Sequence, residues 1–155
     1  VSDVPRRPPP WLLRAINPFV RPMLGSPLHP LVSRRLMLLE YRGRTSGRTY
    51  TIPVGYVAWG DDEVVAFTSR RWWTNLRDGR PVRVRLRGRW RRADPAVEGS
   101  LEERVATIQD LVRRFGPRAG RPFFLGLPCD RPPTPEEARW AAEATMTVRF
   151  RLGET

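Results

Sequence analysis

The sequence predicts an α+β fold, an antiparallel β-barrel with helices flanking it, and three observations lead there. Short apolar segments of strand length recur between turn-forming residues from Leu36 to Ala93. One of them, Pro81 to Arg87, alternates strictly: Val82, Val84 and Leu86 take one side, Arg83, Arg85 and Arg87 the other, as in a half-buried antiparallel strand with a basic outer face. Two Ser/Thr-x-x-Glu boxes then open helical segments ahead of a final alternating segment, and strands followed by helices and one closing strand suggest a barrel with helices over its openings.

In chain order, residues 1–10 form a Pro-rich arm and residues 11–155 a single domain. From Trp11 to Leu24 apolar residues recur at helical spacing, interrupted by Pro18 and Pro22, which predicts a short or kinked helix. Such a basic amphipathic stretch packs over the domain's own core or rests on an anionic membrane surface. Strands are expected at Leu36 to Arg42, Tyr50 to Trp59 and Glu63 to Ser69, the last following a Gly60-Asp61-Asp62 turn. Pro81 to Arg87 pairs through a tight turn at Gly88 with Arg89 to Ala93, which carries Trp90. Ser100-Leu101-Glu102-Glu103 caps a helix reaching Phe115 and Gly116. Thr134-Pro135-Glu136-Glu137 caps a shorter one carrying Trp140 to about Glu143, with Pro at its first position. Thr145 to Leu152 is the closing strand, the sixth.

The chain has 155 residues, enough for one domain with its own core. Its apolar runs, such as Leu36 to Leu39 and Val64 to Phe67, are too short to span a bilayer, and no secretory signal pattern opens it. The single cysteine, Cys129, fits a reducing compartment, so the expected location is cytoplasmic, with peripheral contact to an anionic membrane left open. All 28 basic residues are Arg, against 16 acids. The excess lies wholly in residues 1–95, with 19 Arg and 7 acids, and Arg70 to Arg92 holds 10 Arg and the single acid Asp78. This field suits a polyanion or a phosphorylated or polycarboxylate cofactor, or else is simply a solvated face. Nucleic acid is disfavoured, because few aromatics interleave the arginines for base stacking.

No catalytic side chain stands out. His29 is the only histidine and with Cys129 cannot supply a zinc site, so no metal is expected. No serine sits in a G-x-S-x-G elbow, and the Asp61-Asp62-Glu63 triplet reads as a solvated turn. The hard chemistry, if there is any, falls to a bound cofactor. The sharpest local signal is Tyr41-Arg42-Gly43-Arg44-Thr45-Ser46-Gly47-Arg48, with two glycines, two hydroxyls and three arginines between two strands. Glycines allow close backbone approach, while amides, hydroxyls and forked guanidinium donors suit a phosphate. It is either a phosphate cradle or an Arg-rich surface hairpin, and it lacks the G-K-[ST] ending of a Walker loop.

The order Gly43-Arg44-Thr45-Ser46-Gly47, Pro53 in a strand, Val64 to Ser69, Trp72-Trp73-Thr74-Asn75-Leu76 and Val82-Arg83-Val84 resembles the deazaflavin-dependent nitroreductase family of the flavin/deazaflavin oxidoreductases. The resemblance covers roughly Leu36 to Ala93. It implies a split β-barrel of the FMN-binding-like kind and coenzyme F420 as cofactor, with FMN as the alternative. It also implies hydride transfer from the reduced deazaflavin to a quinone, an enone or a nitro-compound, and a homodimer. Carried over by position, Arg44, Thr45, Ser46, Gly47 and Arg48 would hold the phosphate and tail, with Arg70 beside them. Ile52, Pro53 and Val54 together with Thr68 and Ser69 would flank the ring, and Trp72, Trp73 and Asn75 would begin a short helix next to it. Relatives that use FMN leave an FMN-dependent protein open, and others that bind fatty acid or haem without evident turnover leave open a non-catalytic binder of an anionic ligand, fatty acid or haem. Thr45 stands where some members carry a second basic residue, and the connection from Ser69 to Trp72 is short. Arg121-Pro122-Phe123-Phe124 replaces the substrate-side aromatics, so the substrate does not carry over.

Overall fold

The computed structural model describes residues 35–154. The Pro-rich arm, the helix expected over Trp11 to Leu24 and His29 lie outside the described residues. The fold is α+β, with seven strands in one antiparallel sheet. The strands are β1 Leu36–Arg42, β2 Thr49–Gly55, β3 Val57–Ala58, β4 Glu63–Thr68, β5 Val82–Leu86, β6 Arg89–Val97 and β7 Met146–Leu152. Their order is β2-β1-β5-β6-β7-β4-β3. Two helices, α1 Leu101–Phe115 and α2 Pro135–Ala144, precede β7, and 3-10 segments occupy Arg71–Leu76 and Pro117–Phe123.

The described chain divides into two compact units. The first comprises residues 35–66, Trp72–Val97 and residues 148–154. Its strands alternate as the sequence predicts: Met37, Leu39, Val82, Val84, Ala93, Val148 and Phe150 are buried in one apolar cluster, while Arg83, Arg92 and Asp94 are exposed. The β5–β6 hairpin closes through Arg87 and Gly88, both at positive φ (48° and 81°), the backbone of a two-residue primed turn that matches strand twist. Arg85 Nε donates to Gly88 O at 3.3 Å across that turn. β6 changes partner at Ala93, pairing with β5 before it and β7 after it. Pro95 therefore lies beyond the reach of β5, where a missing N–H breaks no ladder on that side.

One expectation is corrected here. The Tyr50 to Trp59 segment is not one strand but two, broken at Tyr56, and they lie at opposite ends of the sheet. The apolar pattern runs on through Gly55 and Tyr56, so the break follows from long-range pairing. β2 pairs with β1, and Val57 and Ala58 pair with Val65 and Val64. The sheet thus has seven strands where six are expected, and β6 runs four residues past Ala93 to Val97.

The second unit comprises Phe67–Arg71 and Glu98–Thr147. α1 packs against α2 and against the 3-10 segment that follows it. Ile108, Leu111 and Val112 of α1 and Ala138, Ala141 and Ala142 of α2 are buried, and Phe67 meets Phe123 edge-on at 5.2 Å between ring centroids. Ser100 Oγ accepts from Glu103 N–H at 3.1 Å, a cap without the reciprocal half of the box. Thr134 has both halves, and Arg131 grips Glu137 with two bonds of 2.9 and 2.8 Å. The 3-10 segment Pro117–Phe123 carries no apolar periodicity that would reveal it in the sequence.

Phe150 is fully buried and stacks on Trp72, with centroids 6.5 Å apart. Phe150→Ala is expected to cost about 3–5 kcal/mol of stability, read by denaturant unfolding. A loss below about 1 kcal/mol would mean the barrel interior collapses to fill the gap. The Arg131 hydrogen bonds first, then the Thr134 N–H, hold the Glu137 carboxyl at about 2, below its ordinary value of 4.5. A depressed carboxylate stabilises the fold above its ordinary value and loses that contribution as pH falls through the lowered one. The Glu137 side-chain carbon should therefore titrate by NMR with a midpoint near 2. A midpoint at the ordinary value would show that the fork is not kept in solution.

Candidate functional site

The site is built in the barrel unit, on the β1–β2 hairpin and the 3-10 turn Arg71–Leu76. Tyr41 and Tyr50 face one another in register and stack, with centroids 5.6 Å apart and planes 24° apart. Burial, then the neighbouring Tyr50, pushes the Tyr41 phenol above its ordinary pKa. Beyond this pair Gly43 N–H donates to Arg48 O at 2.8 Å, and Gly47 N–H to Gly43 O at 3.0 Å. The reversal needs Gly47 at φ +67°, and Gly43 is needed for space. A Cβ there would stand 2.6 Å from Ser46 Oγ and 2.9 Å from the Tyr50 ring.

Ser46 has an internal role. Its hydroxyl accepts from Arg48 N–H and pairs with the Tyr50 hydroxyl, each at 3.2 Å. Arg44 is tied outward: its N–H donates to Asn75 Oδ1 at 2.9 Å, and Nη1 reaches Thr74 O at 3.5 Å. Asn75 Nδ2 in turn donates to Trp72 O at 3.1 Å. The loop amides of Gly43, Arg44, Gly47 and Arg48 are thus all engaged, while those of Thr45 and Ser46 make no hydrogen bond among the described residues. The Arg48 guanidinium has no ion pair among them either, and the loop from Arg44 to Arg48 is exposed.

The turn that holds Arg44 is itself anchored. Leu76 is buried in the barrel core, Trp72 stacks on Phe150, and Trp73 packs beside them with the Arg77 guanidinium 4.6 Å over its ring. Both tryptophans therefore have core partners. On β2, Val54 is buried, Ile52 half-buried against the core, and Pro53 stands opposite Leu38 on the outermost strand, where a residue lacking N–H is tolerated. Arg44, Thr45, Ser46, Gly47, Arg48, Trp72, Trp73 and Asn75 are gathered at this one place. Thr68, Ser69 and Arg70 belong to the helical unit, where Thr68 Oγ1 accepts from Arg70 N–H at 3.0 Å. Sequence reasoning missed Tyr50, whose hydroxyl locks Ser46; its i+4 spacing from Ser46 was the available signal.

Among the described residues no group of His, Cys, Asp and Glu could hold a metal ion, and no helix is long and apolar enough to cross a membrane. Cys129 is a free, half-buried thiol. The Asp61-Asp62-Glu63 turn is spent on structure: Leu152 N–H donates to Asp62 O at 2.7 Å, and Arg149 pairs with Glu63 at 2.6 Å.

No family profile and no curated protein sequence matches the chain. Among solved structures it is similar to an F420-H2-dependent reductase, at 16% identity over 76% of this chain and 95% of that one, TM-score 0.48. It is also similar to HutZ, the heme storage protein from Vibrio cholerae, at 14% identity over 84% and 92%, TM-score 0.48. A third is a FAD-binding protein from Mesorhizobium loti, at 15% identity over 83% and 89%, TM-score 0.44. Their names refer to three different molecules, F420-H2, heme and FAD.

Asn75 fixes the loop through the Arg44 amide. Asn75→Leu is expected to cost about 0.5–1.5 kcal/mol and to speed hydrogen exchange at the Arg44 amide several-fold. Unchanged exchange at that amide would mean the 3-10 turn does not hold the loop.

Proposed function

We propose that the chain is an F420-dependent oxidoreductase that passes a hydride from reduced deazaflavin to a small organic acceptor, a quinone, an enone or a nitro-compound. The observation that carries this reading is the 2.9 Å bond from Arg44 N–H to Asn75 Oδ1. It joins the two segments whose motifs resemble the deazaflavin-dependent family, although they lie 31 residues apart in the chain. The donor set fits a phosphate: the guanidinium groups of Arg44 and Arg48, the Thr45 hydroxyl and the N–H groups of Thr45 and Ser46. FMN presents the same phosphate chemistry and is the alternative occupant.

When bound, the deazaflavin supplies the hydride chemistry. The chain's own residues bind and orient. Arg48 contributes an exposed cation, and Arg44 one whose guanidinium reaches Thr74 O while its backbone is held by Asn75. Ser46 and Tyr50 keep the loop's shape and leave the Thr45 and Ser46 amides free for the anion. No side chain is assigned to proton transfer, so the protein contributes position and electrostatics.

The test is a titration of the purified protein with F420, FMN and haemin in parallel, followed by tryptophan quenching. F420 should bind one to one, and Arg48→Ala should weaken it about tenfold or more, the worth of a charge-assisted hydrogen bond. Preference for haemin, or a Kd untouched by Arg48→Ala, would overturn the reading. Binding without oxidation of the reduced cofactor by any of the three acceptor classes would leave a binding protein rather than an enzyme.

A further inference from the structure

A groove of about 500 Å³ opens on the barrel unit beside the ends of β1 and β2, lined by Glu40, Tyr41, Arg42, Arg83, Trp90 and Arg92 among others. The sheet register builds it. Arg83 stands opposite Glu40 on β1 and opposite Arg92 on β6, and Arg42 follows two residues beyond Glu40 on the same strand. Arg83 and Arg92 are exposed while their neighbours Val82, Val84 and Ala93 are buried, so both guanidinium groups leave the core side of the sheet. Two like charges directly opposite on neighbouring strands repel, and an anion between them adds to the relief that Glu40 and Asp94 give from the sides.

Arg83 is already positioned. Its guanidinium lies 4.8 Å over the Trp90 ring and gives one N–H to Glu40 Oε1 at 3.3 Å. A fork held on two sides loses little freedom on binding, and its other donors remain for a ligand. Among the described residues the acids leave the groove one surplus cation, Arg42. Glu40 takes Arg83, Asp94 takes Arg92 at 3.5 Å, and Arg91 is spent on Gly153 O at 2.8 Å and on Asp62. Arg42 has no ion pair among the described residues.

We infer that this groove is a second anion site, taking a multivalent oxyanion carried by a small molecule, with Arg83 and Arg92 bracketing it and Arg42 at its edge. Its volume falls within the range of small-ligand sites. The groove adjoins the proposed cofactor loop through Tyr41, Arg42 and Thr49, but its two bracketing arginines, Arg83 and Arg92, lie on β5 and β6 outside the Arg44 to Arg48 loop, so the two readings can fail separately.

The test uses the full chain carrying Arg48→Ala, which disables the loop, titrated calorimetrically at low salt with inorganic tripolyphosphate and, separately, citrate. One saturable site is expected for at least one of them. Adding Arg83→Gln or Arg92→Gln should weaken it about tenfold or more. Stronger binding of tripolyphosphate identifies a phosphorylated ligand and stronger binding of citrate a polycarboxylate. Two variants are used so that a misfolded one, recognised by its circular dichroism, leaves the other to decide. Absence of a saturable site, or affinity unmoved by both substitutions, overturns the inference. Loss of F420 binding to the unmutated protein would overturn the deazaflavin reading and leave this one untouched.

Discussion

The barrel unit depends on one covalent constraint. β2 and β3 sit at the two ends of the sheet order, yet only Tyr56 separates them in the chain. Consecutive Cα atoms are about 3.8 Å apart, so the two outermost strands must come together and the sheet must curl until they do. A flat seven-stranded ribbon, with strands about 4.8 Å apart, would put those ends nearly 30 Å from each other. The curl turns one face of every strand inward, and this is why Met37, Leu39, Val54, Val84, Val148 and Phe150, from both halves of the sheet order, share one apolar cluster. Tyr56 is fixed accordingly. It is 6% exposed, and its N–H donates to Arg35 O at 3.0 Å. Burial raises its phenol pKa, and the charge of Arg87, then a hydrogen bond with it, opposes the rise. Arg87 is the non-glycine residue held at φ 48° in the β5–β6 turn, so the closing residue also secures a strained one.

The candidate site inherits its order from that core through a short chain of contacts. Leu76 and Trp72 seat the 3-10 turn in the apolar cluster, the turn presents Asn75, and Asn75 holds the Arg44 backbone. The loop is otherwise closed on itself by Gly43, Ser46, Gly47 and Tyr50. An exposed six-residue loop would ordinarily lose much conformational entropy on gripping a ligand. Here most of that cost is met in folding, and the groups left to move are the side chains of Thr45 and Arg48. A loop supported from a packed core in this way suits recognition better than a loop that merely happens to be basic.

Much of this was legible in the sequence because it is local. The alternation of β5, the caps at Ser100 and Thr134, and the glycines of the loop each rest on neighbours within a few residues. The misread feature is non-local: nothing in Thr51 to Trp59 announces that the chain passes from one end of the sheet to the other at Tyr56. The loop's composition suggested free amide donors, and the structure shows four of six already used, because backbone pairing across Gly43 and Arg48 is not written in residue types. Likewise the resemblance implies that Trp72 and Trp73 lie beside a ligand, while their packing against the core cluster of Phe150 and Leu76 emerges only from the curled sheet.

The arginines show how a field survives its own counter-charges. Within the barrel unit nearly every acid is paired, Glu40 with Arg83, Asp62 with Arg91, Asp78 with Arg80 and Asp94 with Arg92. Such exposed pairs contribute about 0–1 kcal/mol each to stability, too little to explain the concentration of arginine as a device for holding the sheet. What the pairs do is orient: a guanidinium fixed by one carboxylate or one indole keeps its remaining donors in a set direction. The surplus cations then raise the local concentration of anions over roughly 8–10 Å at ordinary ionic strength. Arg83 shows both effects together, since Trp90 and Glu40 fix its plane while Arg42 at the edge of the groove keeps the local charge positive. A face built only for solubility would gain nothing from that fixation, because solvation favours cations that are free to move. The geometry of the groove is therefore better explained by recognition than by composition.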